Sequence, residues 1–161
     1  MDLQDSVAVV IPCYSAGGPS ADLIAELENL LAPGRELSVV LVNDRTGDSP
    51  LRELLELAEI FETVVVVDLA RNQGQQTATL IGLNAVNADI AVTMDDDGEH
   101  SPRDAFIAVE TLIDNPMADV VLIRNSREHR SGSRRLLSIG FDLAIRSSTV
   151  RQWSSFRAMR Q

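Results

Sequence analysis

Short apolar runs rich in valine and isoleucine alternate with longer amphipathic segments along most of this chain. This alternation constrains the fold more than any other feature, because strand–helix repeats build a parallel sheet with helices on both faces. We therefore predict an α/β fold with a Rossmann-like, mostly parallel sheet. The predicted strands are Ser6–Pro12, Leu37–Val42, Thr63–Val67, Asp89–Met94 and Asp119–Ile123.

The segments between the predicted strands have the periodicity of helices that bury one face. The predicted helices are Ser20–Leu31, a helix that begins at Pro50 after a Ser49 cap, Gln73–Val86, and Pro102–Ile113 after a Ser101 cap. Beyond Arg124 the alternation fades. The apolar positions of Arg135–Ile145 favour one further helix, whereas residues 147–161 favour neither helix nor strand.

Length and composition indicate one folded domain. A chain of 161 residues has the size of a single domain, and 45% apolar residues are enough for a substantial core. No apolar run approaches the ~18 residues of a membrane-spanning helix, and the acidic N-terminus does not resemble a secretory signal. Cys13 is the only cysteine, which argues against a disulfide framework or a multi-cysteine zinc site and favours the reducing cytoplasm.

The charges are divided unevenly between the two parts of the chain. The net charge of −10 argues against general nucleic-acid binding. Residues 1–100 carry four arginines against eighteen acidic groups, whereas residues 101–161 carry ten arginines against six acidic groups, and there is no lysine. The division suggests a divalent cation in the acidic part and phosphate or anionic lipid near the arginines. Two differently solvated faces are the alternative explanation.

Polar residues follow four of the predicted strands. Because the carboxyl ends of parallel strands meet at one edge of a sheet, where such folds bind ligands, these residues predict a single site. They are Cys13–Ser15, Asn43–Arg45, Asp68–Gly74 and Asp95–His100.

The acidic run Asp95–Glu99 is the strongest chemical signal at this edge. In an extended chain Asp95, Asp97 and Glu99 point the same way, and three like charges repel unless a cation lies between them. Carboxylate oxygens suit Mg²⁺ or Mn²⁺, which bind few protein ligands together with substrate phosphates. A solvated turn that caps the next helix is the alternative. His100 and His129 are predicted to be surface histidines.

Several other nucleotide-binding or phosphate-binding folds lack their motifs here. A phosphoacceptor domain needs an acidic pair after the first strand and a late lysine, but Cys13 and Tyr14 follow that strand and the chain has no lysine. Gly17 and Gly18 do not supply the G-x-G-x-x-G pattern of dinucleotide-binding domains, and a phosphate loop that ends in lysine is also absent.

Four segments together resemble, in order and spacing, the nucleotide-sugar-binding half of family 2 glycosyltransferases. They are Val7–Tyr14 (VAVVIPCY), Val40–Asp48 (VLVNDRTGD), Ala70–Ala78 (ARNQGQQTA) and Ala91–Pro102 (AVTMDDDGEHSP). Within the family the closest likeness is to the polyprenyl-phosphate glycosyltransferases, and Ser155–Arg160 also resembles their acceptor-side motif. The resemblance implies the A-type glycosyltransferase fold. Relatives continue with further elements, so we expect this chain to be shortened at its C-terminus.

The resemblance implies roles for the residues of the nucleotide pocket. Asp44 matches an aspartate that hydrogen-bonds the base, although its side chain could instead cap a turn. The positions that line or pack near the base and ribose are Pro12, Tyr14, Asn72, Gly74 and Gln75. For these residues the alternatives are a strand end at Pro12 and a simple helix N-terminus at Asn72 and Gly74.

The resemblance also implies a metal and a phosphate site. Asp95 and Asp97 match the DxD motif, and Glu99 matches a glutamine that joins the metal shell. Arg127, or alternatively Arg124, falls near an arginine that holds phosphates, so Asp97 and Arg127 are the expected catalytic residues. Arg134 and Arg135 lie where the acceptor phosphate is expected. Each of these arginines could instead belong to a solvated face.

Two positions depart from the family pattern. Arg45 stands where a glycine is usual, and Asp96 replaces a small residue within the DxD motif. Glu99 also adds a charge where the family has an amide.

The resemblance predicts metal-assisted, inverting transfer of a sugar from a UDP- or GDP-linked donor to a polyprenyl phosphate. Residues 1–123 would form the nucleotide-sugar-binding core, and residues 124–161 the arginine-rich acceptor side, which could contact the cytoplasmic face of a membrane. The alternatives are a non-catalytic nucleotide-binding module and a glycosyltransferase with a soluble acceptor.

Overall fold

A computed structural model describes residues 5–14, 18–45, 47–96 and 100–123, together with the backbone of residues 157–160. The strands are β1 (Val7–Cys13), β2 (Leu37–Asn43), β3 (Val64–Asp68), β4 (Ile90–Thr93), β5 (Val120–Leu122) and β6 (Arg157–Arg160). The helices are α1 (Ala21–Leu31), α2 (Asp48–Ile60), α3 (Gln75–Ala85) and α4 (Pro102–Asp114). The predicted order of strands and helices is confirmed through β5.

The strands form one sheet in the order β3-β2-β1-β4-β6-β5. The four strands β3, β2, β1 and β4 are parallel neighbours, as the strand–helix alternation predicts. β6 runs antiparallel to both β4 and β5 and lies between them. The sequence did not predict β6, because four residues with an arginine at each end carry too little apolar pattern to distinguish a strand from a loop.

Helices cover both faces of the sheet. The larger core joins one face of the sheet to α1, α2 and α4 through residues such as Ile24, Leu54 and Leu112. The smaller core joins the other face to α3 through Val10, Val42 and their neighbours. Every residue of β1 is buried, which explains its run of β-branched residues, since a central strand covered on both faces has no polar side.

α3 packs very closely against the sheet at Gly82. A Cβ atom at this position would lie 2.4 Å from Cγ1 of Val10 and 2.8 Å from Cγ2 of Val42. The absence of a side chain at Gly82 therefore allows α3 to pack close to β1 and β2. This close packing determines the position of the first turn of α3 at the edge of the sheet.

Two predicted helix starts are corrected. α2 begins at Asp48 with Gly47 as its cap, not at Pro50 with Ser49 as its cap. Pro50 is tolerated in the first turn because the first amide groups of a helix have no partner within it. α3 begins at Gln75 rather than Gln73, since Gly74 has a φ of +82°. The start of α4 is confirmed: Ser101 caps it.

The cap of α4 is a reciprocal capping box, in which Ser101 Oγ accepts from the Asp104 amide and the Asp104 carboxylate accepts from the Ser101 amide. The helix predicted over Arg135–Ile145 lies outside the described residues. Among the helices that the structure describes, none has both the length and the apolar character to cross a bilayer.

Candidate active site

The carboxyl ends of β1, β2 and β3 finish level with one another. Cys13 pairs with Asn43, and Asn43 with Asp68, in the parallel register. The Asp44 amide donates to the Cys13 carbonyl at 2.9 Å, and Asn43 Nδ2 donates to Asp68 Oδ1 at 2.7 Å. The polar residues that follow these strands therefore meet at one edge, as predicted.

Asp44 holds the loop that leads from β3 into α3. Its carboxylate is only 1% exposed and accepts two backbone hydrogen bonds, from the Gln73 amide at 2.6 Å and from the Gly74 amide at 2.8 Å. Asn72 Nδ2 donates to the Asp44 carbonyl at 3.0 Å. The structure thus brings Asp44, Asn72 and Gly74 together, and the positive φ of Gly74 lets its amide face the carboxylate.

Arg45 directly follows this buried aspartate. It has a φ of +61°, which a side chain with a Cβ rarely adopts, and its side chain is exposed. At this turn, where the family usually has a glycine, the chain has an arginine whose positive φ strains the backbone.

Asp95 stands at the end of β4 and faces the start of α3. Gln75 Nε2 donates to Asp95 Oδ1 at 2.5 Å, so two residues that are distant in sequence meet. The Asp95 side chain is 31% exposed, which leaves the carboxylate accessible from solvent.

His100 is buried, so the prediction of a surface histidine is wrong for this residue. Its Nδ1 accepts a 3.4 Å hydrogen bond from the Asp95 amide. The same nitrogen lies 4.0 Å from Asp95 Oδ2, so the imidazole is close to both the backbone and the carboxylate of Asp95.

Asp96, unlike Asp95, is buried. Its Oδ2 accepts the Tyr14 amide at 3.1 Å, and the residue is 8% exposed. Burial, together with the negative charge of Asp96, raises the pKa of the Cys13 thiol to about 12. Cys13 is therefore a neutral thiol of the core. The contact of Asp96 with Tyr14 was not predicted: in the sequence, Asp96 is only a departure from the family's DxD pattern.

The two positions at the end of β1 that are predicted to line the nucleotide, Pro12 and Tyr14, differ in exposure. Tyr14 is 42% exposed just past the strand end, whereas Pro12 is buried inside β1. Pro12 lies beyond the last β1–β4 pair, Val10 with Thr93, so its missing amide removes no hydrogen bond from that ladder.

Several predicted site residues lie outside the described residues, and their roles stay predictions. They are Asp97, Glu99, Arg127, Arg134 and Arg135. Within the part of the chain that the structure describes, no three acidic, histidine or cysteine side chains are grouped to hold a metal. Asp95 nevertheless has the donor chemistry for Mg²⁺ or Mn²⁺: an accessible carboxylate whose orientation Gln75 fixes.

The sequence profile of "Glycosyl transferase family 2" matches residues 8–158, nearly the whole chain. This chain belongs to glycosyl transferase family 2. Its relatives in the family include undecaprenyl-phosphate 4-deoxy-4-formamido-L-arabinose transferases. The one from Photorhabdus laumondii is 30% identical over 158 residues, which is 95% of this chain and 47% of the relative. The one from Pseudomonas aeruginosa is 34% identical over 148 residues, which is 90% of this chain and 43% of the relative.

Solved glycosyltransferase structures share the fold. Glucosyl-3-phosphoglycerate synthase from Mycobacterium tuberculosis, in complex with UDP, superposes with a TM-score of 0.69 at 18% identity and covers 97% of this chain and 57% of that one. A mannosyltransferase from Pyrobaculum calidifontis, in complex with GDP-Man and Mn²⁺, has a TM-score of 0.60 at 20% identity over 99% of this chain and 47% of that one.

The predicted A-type glycosyltransferase fold is therefore confirmed, with its mostly parallel sheet and helices on both faces. The chain spans about half the length of the curated relatives it matches.

Proposed function

We propose that this family 2 chain binds a nucleoside diphosphate sugar at the carboxyl edge of its sheet and transfers the sugar to a polyprenyl phosphate. The observation that carries the proposal is a chain of contacts at that edge: Asp44 accepts the Gln73 and Gly74 amides directly before Gln75, and the Gln75 side chain donates to Asp95. The undecaprenyl-phosphate sugar transferases to which the chain is 30–34% identical support the choice of acceptor.

The nucleotide would lie across the ends of β1, β2 and β3. Tyr14 offers an exposed aromatic face, and the Asp44 carboxylate fixes the loop of Asn72 and Gly74 on which base and ribose would rest. Because Asp44 is only 1% exposed and already accepts two amide hydrogen bonds, it would act mainly by holding this loop, and its direct hydrogen bond to the base stays a prediction.

The diphosphate would extend from there toward Asp95. Asp95, with Asp97 and Glu99 of the same run, would hold Mg²⁺ or Mn²⁺ through carboxylate oxygens. The bound ion would neutralise the charge that develops on the departing diphosphate. Gln75 would help to orient Asp95 for the ion, because its amide donates to one carboxylate oxygen.

In the transfer, an oxygen of the acceptor phosphate attacks the anomeric carbon from the side opposite the leaving group. The bond from that carbon to the diphosphate breaks, the nucleoside diphosphate departs with the electron pair, and the configuration inverts. The acceptor is already an anion near neutral pH, so it needs guidance by positive charge more than a general base. Arg127, Arg134 and Arg135 would supply forked donors for phosphate oxygens.

The acceptor side also implies a location. Residues 124–160 carry nine arginines against two acidic residues. We also propose that this segment contacts the anionic, cytoplasmic face of a membrane, where the polyprenyl phosphate would be bound.

A transfer assay tests the proposal. The full chain is incubated with Mn²⁺, a short prenyl phosphate and a panel of UDP- and GDP-linked sugars, and release of the nucleoside diphosphate is followed. We expect release that requires both the lipid phosphate and the metal.

The other outcomes discriminate between functions. Release of the nucleoside diphosphate with a soluble sugar as acceptor, but not with the prenyl phosphate, would contradict the proposed acceptor. Metal-dependent nucleotide binding without any release would indicate a binding module, and neither binding nor release would contradict the proposal as a whole.

A further inference from the structure

We propose that Asp96 is a positioning residue that couples Tyr14, at the end of β1, to the chain segment after β4 that carries Asp95. The proposal rests on the function proposed above. It adds that the buried Asp96 carboxylate sets the position of Tyr14, so that the two halves of the nucleotide site are held as one unit.

The geometry separates Asp96 from its neighbour Asp95. Asp95 is partly exposed and contacts Gln75 on α3, on the side of the smaller core. Asp96 is buried near Cys13, whose side chain belongs to the larger core. The two carboxylates therefore lie on opposite sides of the chain that extends β4, and Asp95 is the one that faces solvent.

The bond to Tyr14 lies where the sheet no longer connects the two strands. The β1–β4 ladder ends at the pair of Val10 with Thr93, followed by one further bond from the Met94 amide to the Val10 carbonyl. Past that point the 3.1 Å bond from the Tyr14 amide to Asp96 Oδ2 joins the two strand extensions. A charged acceptor makes this bond stronger than a neutral one.

The bond between Asp96 and Tyr14 connects the two ends of the proposed nucleotide site. Tyr14 is the exposed aromatic residue at the base end of the site, and Asp96 adjoins the carboxylate at the diphosphate end. Removing the Asp96 acceptor should loosen Tyr14 without removing a metal ligand, so nucleotide affinity falls while the metal requirement persists.

The chain contains one tyrosine and one tryptophan, which provides a direct probe of the coupling. In a Trp153→Phe background Tyr14 is the main fluorophore. Acrylamide quenching of its emission is measured without nucleotide, and binding of UDP and GDP with Mn²⁺ is measured by calorimetry. Asp96→Ala removes the acceptor, whereas Asp96→Asn keeps an oxygen that can accept the Tyr14 amide.

Asp89 provides the matched control at the opposite end of the same strand. Its carboxylate accepts the Ser6 amide at 2.9 Å and the Ser6 hydroxyl at 2.7 Å, so it also ties β1 to β4, but at the edge away from the site. Asp89→Ala should lower stability without changing Tyr14 quenching or nucleotide affinity.

For Asp96→Ala we expect stronger Tyr14 quenching and an affinity lower by about tenfold, the loss typical of one charge-assisted hydrogen bond. Asp96→Asn should lose less, about threefold, because its amide oxygen still accepts the Tyr14 amide but without the charge. If Asp96→Ala does not fold, Asp96→Ser, whose side chain is too short to reach, takes its place.

Unchanged Tyr14 quenching in Asp96→Ala overturns the inference whether or not nucleotide binds. An equal loss of affinity in Asp96→Asn and Asp96→Ala also overturns it, since the charge rather than the acceptor would then matter. A parent protein that binds no nucleotide overturns the proposed function, and the inference with it.

Discussion

At the scale of single residues, three carboxylates at one edge of the sheet have three different environments. Asp44 is buried and accepts two amides of the loop before α3. Asp96 is buried and accepts the amide of Tyr14, whereas Asp95 remains partly open to solvent. Two of these carboxylates therefore shape the site, and the accessible Asp95 is the one suited to a cation.

Arg45 allows a test of backbone strain next to Asp44. Its φ of +61° costs a non-glycine residue about 1–2 kcal/mol, part of which glycine gives back through its more flexible unfolded chain. We expect Arg45→Gly to raise the free energy of unfolding by about 0.5 kcal/mol in urea denaturation.

Arg52 serves as the control for this substitution, because it is an exposed arginine within α2. Arg52→Gly should lower the free energy of unfolding by about 1 kcal/mol, the usual cost of glycine inside a helix. If both variants are destabilised equally, the turn at Arg45 is not strained.

At the scale of helices and strands, the sequence was a good guide to which elements form and a poorer guide to where they begin. The strands are apolar on both faces, so their runs of valine and isoleucine identify them directly. The start of α3 could not be read in this way. It depends on two amides that donate to Asp44, a residue almost thirty positions earlier, and no local pattern contains that contact.

The packing of α3 against the sheet gives a prediction at this scale. Alanine favours helices over glycine by up to about 1 kcal/mol, but a Cβ at position 82 would lie 2.4 Å from Val10 Cγ1. We expect overpacking to dominate, so that Gly82→Ala lowers the free energy of unfolding by about 1–2 kcal/mol in chemical denaturation.

Thr77 is the matched position for this test, because it lies in the same helix and is exposed. Thr77→Ala should leave stability equal or slightly higher, as expected from helix propensity alone. A Gly82→Ala variant that is as stable as Thr77→Ala would contradict the close contact between α3 and the sheet.

At the scale of the whole molecule, the parallel part of the sheet and the position of the site followed from the sequence, because polar residues after buried strands must meet at one edge. β6 did not follow from the sequence. It comes from the far end of the chain and lies between β4 and β5, so its place depends on partners rather than on its own four residues. The metal-binding role proposed for the acidic run likewise rests on its position after β4 in the sequence, whereas the role proposed for Asp96 rests on its contact with Tyr14 in the structure.

Calorimetric titration of UDP and GDP, each with and without Mn²⁺, tests the central claim most directly. The claim is that Asp95 helps to hold a divalent ion that in turn binds the diphosphate. The titration compares the parent chain with Asp95→Asn and with Asp89→Asn, a carboxylate at the opposite edge of the sheet.

We expect binding of at least one of the nucleotides that depends on Mn²⁺, is weakened by about tenfold or more in Asp95→Asn, and is unchanged in Asp89→Asn. Binding that is indifferent to Mn²⁺, or an Asp95→Asn variant that binds as tightly as the parent chain, would contradict the claim.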